Sequence, residues 1–308
     1  MPNRPLAGFV TTMIFIAFIV TGCGRMTKHL LAPDPSGSSP TEAATAEGPD
    51  AGDAVSASPE DDDRDDGRRA TPITGPLTID EPGDYRLVRD LEVAGGDGIV
   101  VTASQVRLWL GEHRLYGPGN KSGRAVVIDG AQEVKVRGGQ IEHFGIGAVL
   151  ISASRCRIRS LTIRGGDETA DPPAGNPPQI GIMLVNSPLN RISGNRLHRV
   201  NLGIFVRGGG SYRNSVRDNA VIGGDHGLLA VCYNPAPGTD PAGPHDDLVK
   251  GNFLARFGTG IAASAHSAQN VFARNTIRYF TSAYVDQNGT NVFKDNRTVR
   301  ITLKQRIQ

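Results

Sequence analysis

The chain has 308 residues, including 39 Gly and 3 Cys, with 6 % aromatic and 21 % charged residues and a formal net charge of +2. Glycine stands at nearly twice the usual ~7 % without an every-third pattern, and no long apolar run follows the N-terminus; this excludes a collagen, a coiled coil and a multi-spanning membrane protein. Three cysteines without a C-x-x-C pair exclude a disulfide scaffold and a zinc or redox motif.

The first element is a leader. Arg4 precedes an apolar run over residues 6–20, too short for a comfortable span and of the length of a secretory h-region. The run ends in Val20-Thr21-Gly22-Cys23, which resembles a bacterial lipobox. That resemblance implies cleavage behind Gly22, so that residues 1–22 are a lipoprotein signal peptide. It also implies a diacylglyceryl group on Cys23, hence a chain held at the bacterial cell envelope, on the outer-membrane or periplasmic face or the cell surface.

Residues 23–70 read as a tether. Between Gly24 and Ala70 there are eleven acidic and five basic residues, a net 5 − 11 = −6, with few large apolar side chains. Such a segment buries too little surface to offset chain entropy, and disorder is the expectation. Its acidic run at residues 61–66 leaves calcium open as an ion, but it lacks the spaced ligands and glycine of an EF-hand loop. No other metal or cofactor is implied.

Residues 71–308 repeat. Asn190-Arg-Ile-Ser-Gly-Asn195 recurs as Asn214-Ser-Val-Arg-Asp-Asn219, Asp247-Leu-Val-Lys-Gly-Asn252, Asn270-Val-Phe-Ala-Arg-Asn275 and Asn291-Val-Phe-Lys-Asp-Asn296. A glycine followed by apolar residues precedes the first four copies, at Gly181, Gly203, Gly227 and Gly260; weaker copies start at Gly98, near Arg124 and at Gly147. Apolar residues alternate over four to six positions, with Gly, Asn and Asp at the corners, so each unit is a set of short strands. Units of this length stack as a solenoid. The repeated asparagines then occupy fixed corners, tolerate left-handed backbone angles and bond the turns above and below.

These repeats resemble the right-handed parallel β-helix of the pectate-lyase-like superfamily, over roughly Thr71 to Thr302. Leu108-Trp-Leu-Gly-Glu-His-Arg-Leu-Tyr-Gly117 is similar to that family's first-coil segment. The resemblance implies an all-β, single-stranded solenoid of about eight coils, with Ile73 to Val93 supplying an N-terminal strand over the first coil.

If Ile182, Ile204, Leu228 and Ile261 point inward, the outward ladder is Val100, Val126, Val149, Met183, Phe205, Leu229, Ala262 and Tyr284. Six large apolar rungs form an unusually large exposed patch, covered by two insertions, Asp167 to Gln179 and Asn234 to Asp246, or, as the alternative, serving as a protein-binding or oligomeric face. The next outward column is Arg207, Val231, Ser264 and Asp286, with Tyr233 and His266 a step further. Asp225 and His226 precede one of these strands, and the second insertion delivers His245, Asp246 and Asp247. Acid, base, aromatic and arginine converge here, the set that proton abstraction beside a neutralised carboxylate requires. Asp247 also fills the repeat's Asn position. Cys156 and Cys232 are expected as free thiols in the core, and Trp109 as an outward ring packed under the N-terminal segment.

Two partial motifs bear on the same place. Gly224-Asp225-His226-Gly227 resembles the Gly-Asp-Asp of polygalacturonases, with His226 in place of the second aspartate. Gly243-Pro244-His245-Asp246 resembles the Asp-Pro-His-Asp of alginate epimerases and related lyases, with Gly243 where the first aspartate stands; that resemblance makes His245 the proton-transfer residue. Neither motif is complete, so catalysis is left open. His245, Arg207, His226, Asp225 and Asp246 are the candidate catalytic residues, and His266, Tyr233, Asp286 and Tyr284 the candidate substrate contacts.

Residues 71–308 carry a net 27 − 20 = +7. Arg155, Arg157 and Arg159 alternate with Cys156 and Ile158 as a positive stripe whose guanidinium forks suit carboxylated or sulfated glycans. Export and the lack of a recognition helix speak against nucleic acid. The expectation is an envelope protein that binds, and processes by a lyase, epimerase or hydrolase route, an acidic polysaccharide. The alternative is a non-catalytic scaffold or adhesion module. A third reading, a copper-enzyme maturation protein sharing this repeat class, lacks the Met/Cys-rich cluster it would need.

Overall fold

The computed structural model describes residues 69–119, 122–165, 179–223, 229–234, 242–287 and 289–299, with the backbone alone for 229–234. The leader, Cys23 and the tether lie outside the described residues. The described chain contains 24 strands, β1 to β24 in chain order, and no helix. It winds as a parallel solenoid of about eight turns.

Three faces run the length of the solenoid. Face A stacks β2 (Leu77–Ile79), β5 (Ile99–Val101), β7 (Arg124–Asp129), β9 (Ile146–Ile151), β12 (Ile180–Val185), β15 (Leu202–Arg207) and β18 (Leu229–Asn234), then the ends of β20 (Phe253–Ala263) and β22 (Thr276–Asp286). Face B stacks β1 (Thr71–Ile73), β3 (Gly83–Leu87), the start of β6 (Val106–Tyr116) and of β8 (Lys135–Glu142), then β10 (Arg157–Arg159), β13 (Arg191–Ser193), β16 (Ser215–Arg217), β19 (Leu248–Lys250), β21 (Val271–Ala273) and β23 (Val292–Lys294). Face C runs from β4 (Leu91–Glu92) through the ends of β6 and β8 to β11 (Thr162–Arg164), β14 (Arg196–His198), β17 (Ala220–Ile222), the starts of β20 and β22, and β24 (Arg297–Val299). Residues 73–93 therefore form the first rungs of the three faces rather than a strand laid over them.

Each rung buries its middle residues and turns the flanking ones outward. On face B the buried row is Leu108, Val136, Ile158, Ile192, Val216, Val249 and Phe272. On face A it includes Ile182, Ile204 and Ile261, with Val231 in register between them. The sequence spacing assigns that rung to Leu228, after Gly227; the structure moves it three residues on. The small residue preceding the rung is Gly181, Gly203 and Gly260 in neighbouring turns, and Ala230 takes its place in the third repeat. A Cβ at Gly260 would sit 2.7 Å from the Ile277 side chain, which shows why the column stays small.

The outward ladder of face A shifts accordingly. It runs Val100, Val127, Val149, Met183, Phe205, Cys232, Ala262 and Val285. Val126 belongs to the core, Leu229 lies in register with Leu202 and Thr259, and Tyr284 lies in register with Ile261 and packs against the core. Cys232, expected inward, thus stands in register with the outward column. The ladder's Val127, Val149, Met183, Phe205 and Ala262 form a second buried apolar cluster. Both proposed covering insertions lie largely outside the described residues.

The asparagines form two continuous columns flanking face B. Asn195, Asn219, Asn252, Asn275 and Asn296 each accept the backbone N–H of the residue one turn back through Oδ1 at 2.8–3.0 Å. Their Nδ2 groups donate to the carbonyls of Ile158, Ile192, Val216, Val249 and Phe272. Asn190, Asn214, Asp247, Asn270 and Asn291 make the second column. The left-handed backbone angle falls on the residue before most ladder positions, such as Leu189, Arg213, Asp246 and Gln269, not on the asparagine itself. The amide is therefore selected for its donor and acceptor in a buried corner.

Candidate functional site

The expected convergence around face A separates into three places. Arg207, which ends β15, is buried at 2 % exposure, lies over the Phe205 ring at 5.9 Å and stands in register with Val185 and Asn234. Asp286 is in register with Ala263 of the inward row, not with Arg207's column, and accepts both the N–H and the Nδ2 of Asn291. It closes an asparagine column at the C-terminal end. Tyr233 falls in register with Val206 and Ala263 of the inward row, and Val231 in register with Ile204 and Ile261. Tyr284 meets Phe293 edge-on at 4.8 Å, and burial pushes its hydroxyl above the usual tyrosine range. Asp225 and His226 lie outside the described residues.

His245, Asp246 and His266 do share a place, the turn between faces A and B. His245 stands between Tyr212 and Ala268 in a column of single-residue bridges, its ring stacked on Tyr212 at 5.5 Å. Asp246 is exposed at a left-handed angle, and His266 is exposed one turn on, its carbonyl accepting the Gly243 N–H at 3.0 Å. A Cβ at residue 243 would lie 2.7 Å from the His266 carbonyl group. The aspartate of the epimerase-like motif has no room there. Ser264 Oγ pairs with Ser267 Oγ at 3.1 Å, within the same turn. Among the described residues no group of three or more His, Cys, Asp or Glu gathers for a metal ion.

Among the described residues the largest organised set of charges is on face B. The strands alternate outward, inward, outward, and parallel register aligns the outward positions of successive turns. One outward column reads Arg107, Lys135, Arg157, Arg191, Ser215 and Leu248; the other reads Trp109, Arg137, Arg159, Ser193, Arg217 and Lys250. Lys294 ends the second column on β23. No carboxylate stands in either column from β6 to β23. Rungs lie about 4.8 Å apart, so four cations on successive rungs repel one another. At the first rung Arg107 faces Asp84 at 3.9 Å.

Trp109 heads this face, half-buried, in register with Arg86 and Arg137. Arg157 and Arg159 point outward as expected, with Cys156 and Ile158 fully buried between and beside them. Arg155 departs from the stripe and occupies an exposed left-handed turn. Reading the sequence turn by turn finds one basic strand and misses the ladder. The signal was the triplet pattern Lys135-Val-Arg137, Arg157-Ile-Arg159, Arg191-Ile-Ser193 and Ser215-Val-Arg217, spread over turns that the asparagine markers do not all reach.

A family profile described as the right handed beta helix region matches residues 87–237. No curated protein matches the chain in sequence. Among solved structures, the Dettilon tailspike protein is similar at 12 % identity and a TM-score of 0.46, over 75 % of this chain and 55 % of that one. An alginate lyase from Paenibacillus sp. is similar at 16 % identity and a TM-score of 0.47, over 74 % and 87 %. A variant tailspike of E. coli bacteriophage HK620 in complex with pentasaccharide is similar at 10 % identity and a TM-score of 0.46, over 74 % and 56 %. This chain thus spans little more than half the length of the tailspikes it resembles.

Proposed function

We propose that this protein binds an acidic polysaccharide along the outer surface of face B. The observation that carries the reading is the double column from Arg107 to Lys250, an outward run of one charge sign that presents one or two basic side chains per turn in parallel register. A linear polyanion of carboxylated sugars has a comparable repeat, and guanidinium groups take carboxylates through paired hydrogen bonds. Trp109 offers a ring at one end for stacking on a sugar face. The lipobox-like Val20 to Cys23 supports a lipid-held protein of the bacterial envelope.

The test uses the full chain in mild detergent with polygalacturonate, alginate and neutral dextran as probes. Polyuronates should bind and dextran should not, and binding should weaken steeply between low and physiological salt. A folded variant carrying Arg137→Gln, Arg157→Gln, Arg159→Gln and Arg191→Gln should lose at least about fourfold in affinity, since exposed charge pairs contribute about 0.2–1 kcal/mol each. Equal retention by wild type and variant would overturn the reading. New reducing ends or unsaturated products, lost with His245→Ala, would make the protein an enzyme; bound but unchanged polymer would make it a binding module.

A further inference from the structure

The basic columns and the point where the acidic N-terminal segment joins the solenoid share one face. β1 is the first rung of face B, and β3, β6, β8, β10, β13, β16 and β19 follow it in parallel register. The segment that enters at β1 is the one with a net 5 − 11 = −6 between Gly24 and Ala70. Five of its acids stand in Asp61-Asp62-Asp63-Arg64-Asp65-Asp66, which ends five residues before Thr71. The densest acidic run of the sequence is thus attached to the end of the basic face.

Chain length fixes what that run can reach. At about 3.4 Å per extended residue, Asp66 comes no further than ~17 Å from Thr71 and Asp61 no further than ~34 Å. Rungs of ~4.8 Å place Lys135 at about 14 Å along the face, Arg191 at about 24 Å, Arg217 at about 29 Å and Lys250 at about 34 Å. Lys294, on β23, stands at about 43 Å, beyond the backbone reach of the run. The aspartates therefore match the middle of the ladder.

The charge there is complementary. Among the described residues the ion pairs involve Arg107, His113, Arg114, Arg124 and Arg164, and none involves Arg191, Arg217 or Lys250. The Arg217 Nε is buried without a hydrogen-bond partner among those residues. Asp218 and Asp246 stand at the corners that bound the face, outside both columns. An aspartate offers a guanidinium the same carboxylate that a uronate does. Attachment to the same chain holds the run at an effective concentration of about millimolar, so weak individual contacts suffice.

We propose that the acidic run at residues 61–66 docks on the face B ladder of its own chain and is displaced by the acidic polysaccharide. The proposal rests on the reading of face B as a polyanion surface and adds its regulation: the run stands in for the polymer and sets the polymer concentration at which the ladder loads.

The full chain in mild detergent is treated with a carbodiimide, which joins carboxylates to lysine ammonium groups in contact, and is mapped by mass spectrometry. Residues 61–66 should couple to Lys135 and Lys250 within one chain, in preference to Lys294. Polygalacturonate or high salt should suppress the coupling, and dextran should not. A variant carrying Asp61→Asn, Asp62→Asn, Asp63→Asn, Asp65→Asn and Asp66→Asn should bind polygalacturonate at least about threefold more tightly at low salt, with the gain lost at about 0.5 M. No coupling, or coupling only between chains, would overturn the docking and leave polyuronate binding by the ladder in place. Coupling without tighter binding by the variant would overturn displacement by the polymer. Coupling in a protein that binds no polyuronate, with or without the aspartates, would instead overturn the proposed function.

Discussion

Asp247 accepts the backbone N–H of Asn214 at 2.5 Å, in a column whose other members are Asn190, Asn214, Asn270 and Asn291. It is buried at 1 % exposure, and its second oxygen faces the Asn214 amide at 3.5 Å. A carboxylate copies the acceptor half of the ladder and lacks the donor half. The neighbouring Asn270 and Asn291 donate to the carbonyls of Pro244 and Ser267 one turn back; the counterpart for position 247 is the Ser211 carbonyl. Asp247→Asn should therefore stabilise the protein by about 1 kcal/mol, the net worth of one added hydrogen bond. A higher urea midpoint at unchanged slope is the expected result.

The column of Asn195, Asn219, Asn252, Asn275 and Asn296 is asparagine throughout, and its interior members should be costly to lose. Asn219 donates to the Ile192 carbonyl at 3.0 Å and accepts from both the N–H and the Nδ2 of Asn195. In Asn219→Ala these buried groups lose their partners, at about 1–3 kcal/mol for each left unsatisfied. A loss of roughly 2–4 kcal/mol is expected. Chemical denaturation should show it, and Asn296→Ala, at the half-buried end of the same column, should cost less.

The six-residue asparagine units were legible because they are buried corners whose chemistry tolerates few residue types. Where the requirement is only for a small residue, the pattern misleads: Gly227 mimics the marker that Ala230 fills, and the third repeat slips by three. The outward ladder of face A inherits that slip at Leu229. The candidate site was less legible for a related reason. Outward side chains carry no packing constraint, so Asp286 and Tyr233 were placed by counting from strand starts that the bent strands β20 and β22 and the second insertion displace. The face B columns became visible only once register aligned Arg107, Lys135, Arg157 and Arg191 across unequal turns.

Gly243 marks a boundary on catalysis by the turn that holds His245. Completing the epimerase-like motif with Gly243→Asp forces a Cβ to 2.7 Å from the His266 backbone. Overpacking of this kind costs about 1–3 kcal/mol. The variant should melt below the wild type and gain no activity on alginate. Product analysis after prolonged incubation with alginate decides the second part; the appearance of epimerised or unsaturated sugar would show that the turn adapts and that the missing carboxylate was the only obstacle.

Cys156 should be chemically silent while the protein is folded. It is fully buried, and desolvation pushes its thiol up to about 11. At pH 8 the thiolate is then about a thousandth of the population, before access is considered. Peptide mapping after iodoacetamide should find Cys156 unmodified in buffer and modified in urea. Fast native labelling would mean that the turns on either side, β8 and β13, open locally.

His198, which ends β14 on face C, links protonation to stability. Its folded-state value lies below the usual 6.5, chiefly through burial and then through Arg164, Arg196 and Arg199. The other titratable groups beside it are Glu142, paired with Arg164, and His143 on the neighbouring corner. In the window between the lowered folded value and 6.5 the unfolded chain binds more protons than the folded one, so stability rises with pH there. Acidification below 6.5 should consequently destabilise the wild type until the folded-state value is passed. His198→Gln removes this titration and keeps a polar side chain of similar reach. Melting temperatures of the two proteins measured from pH 7.5 to 5 should draw together as pH falls, the wild type losing more. Parallel curves would mean that His198 is solvated in the folded state and that the arginines around it do not press on its ring.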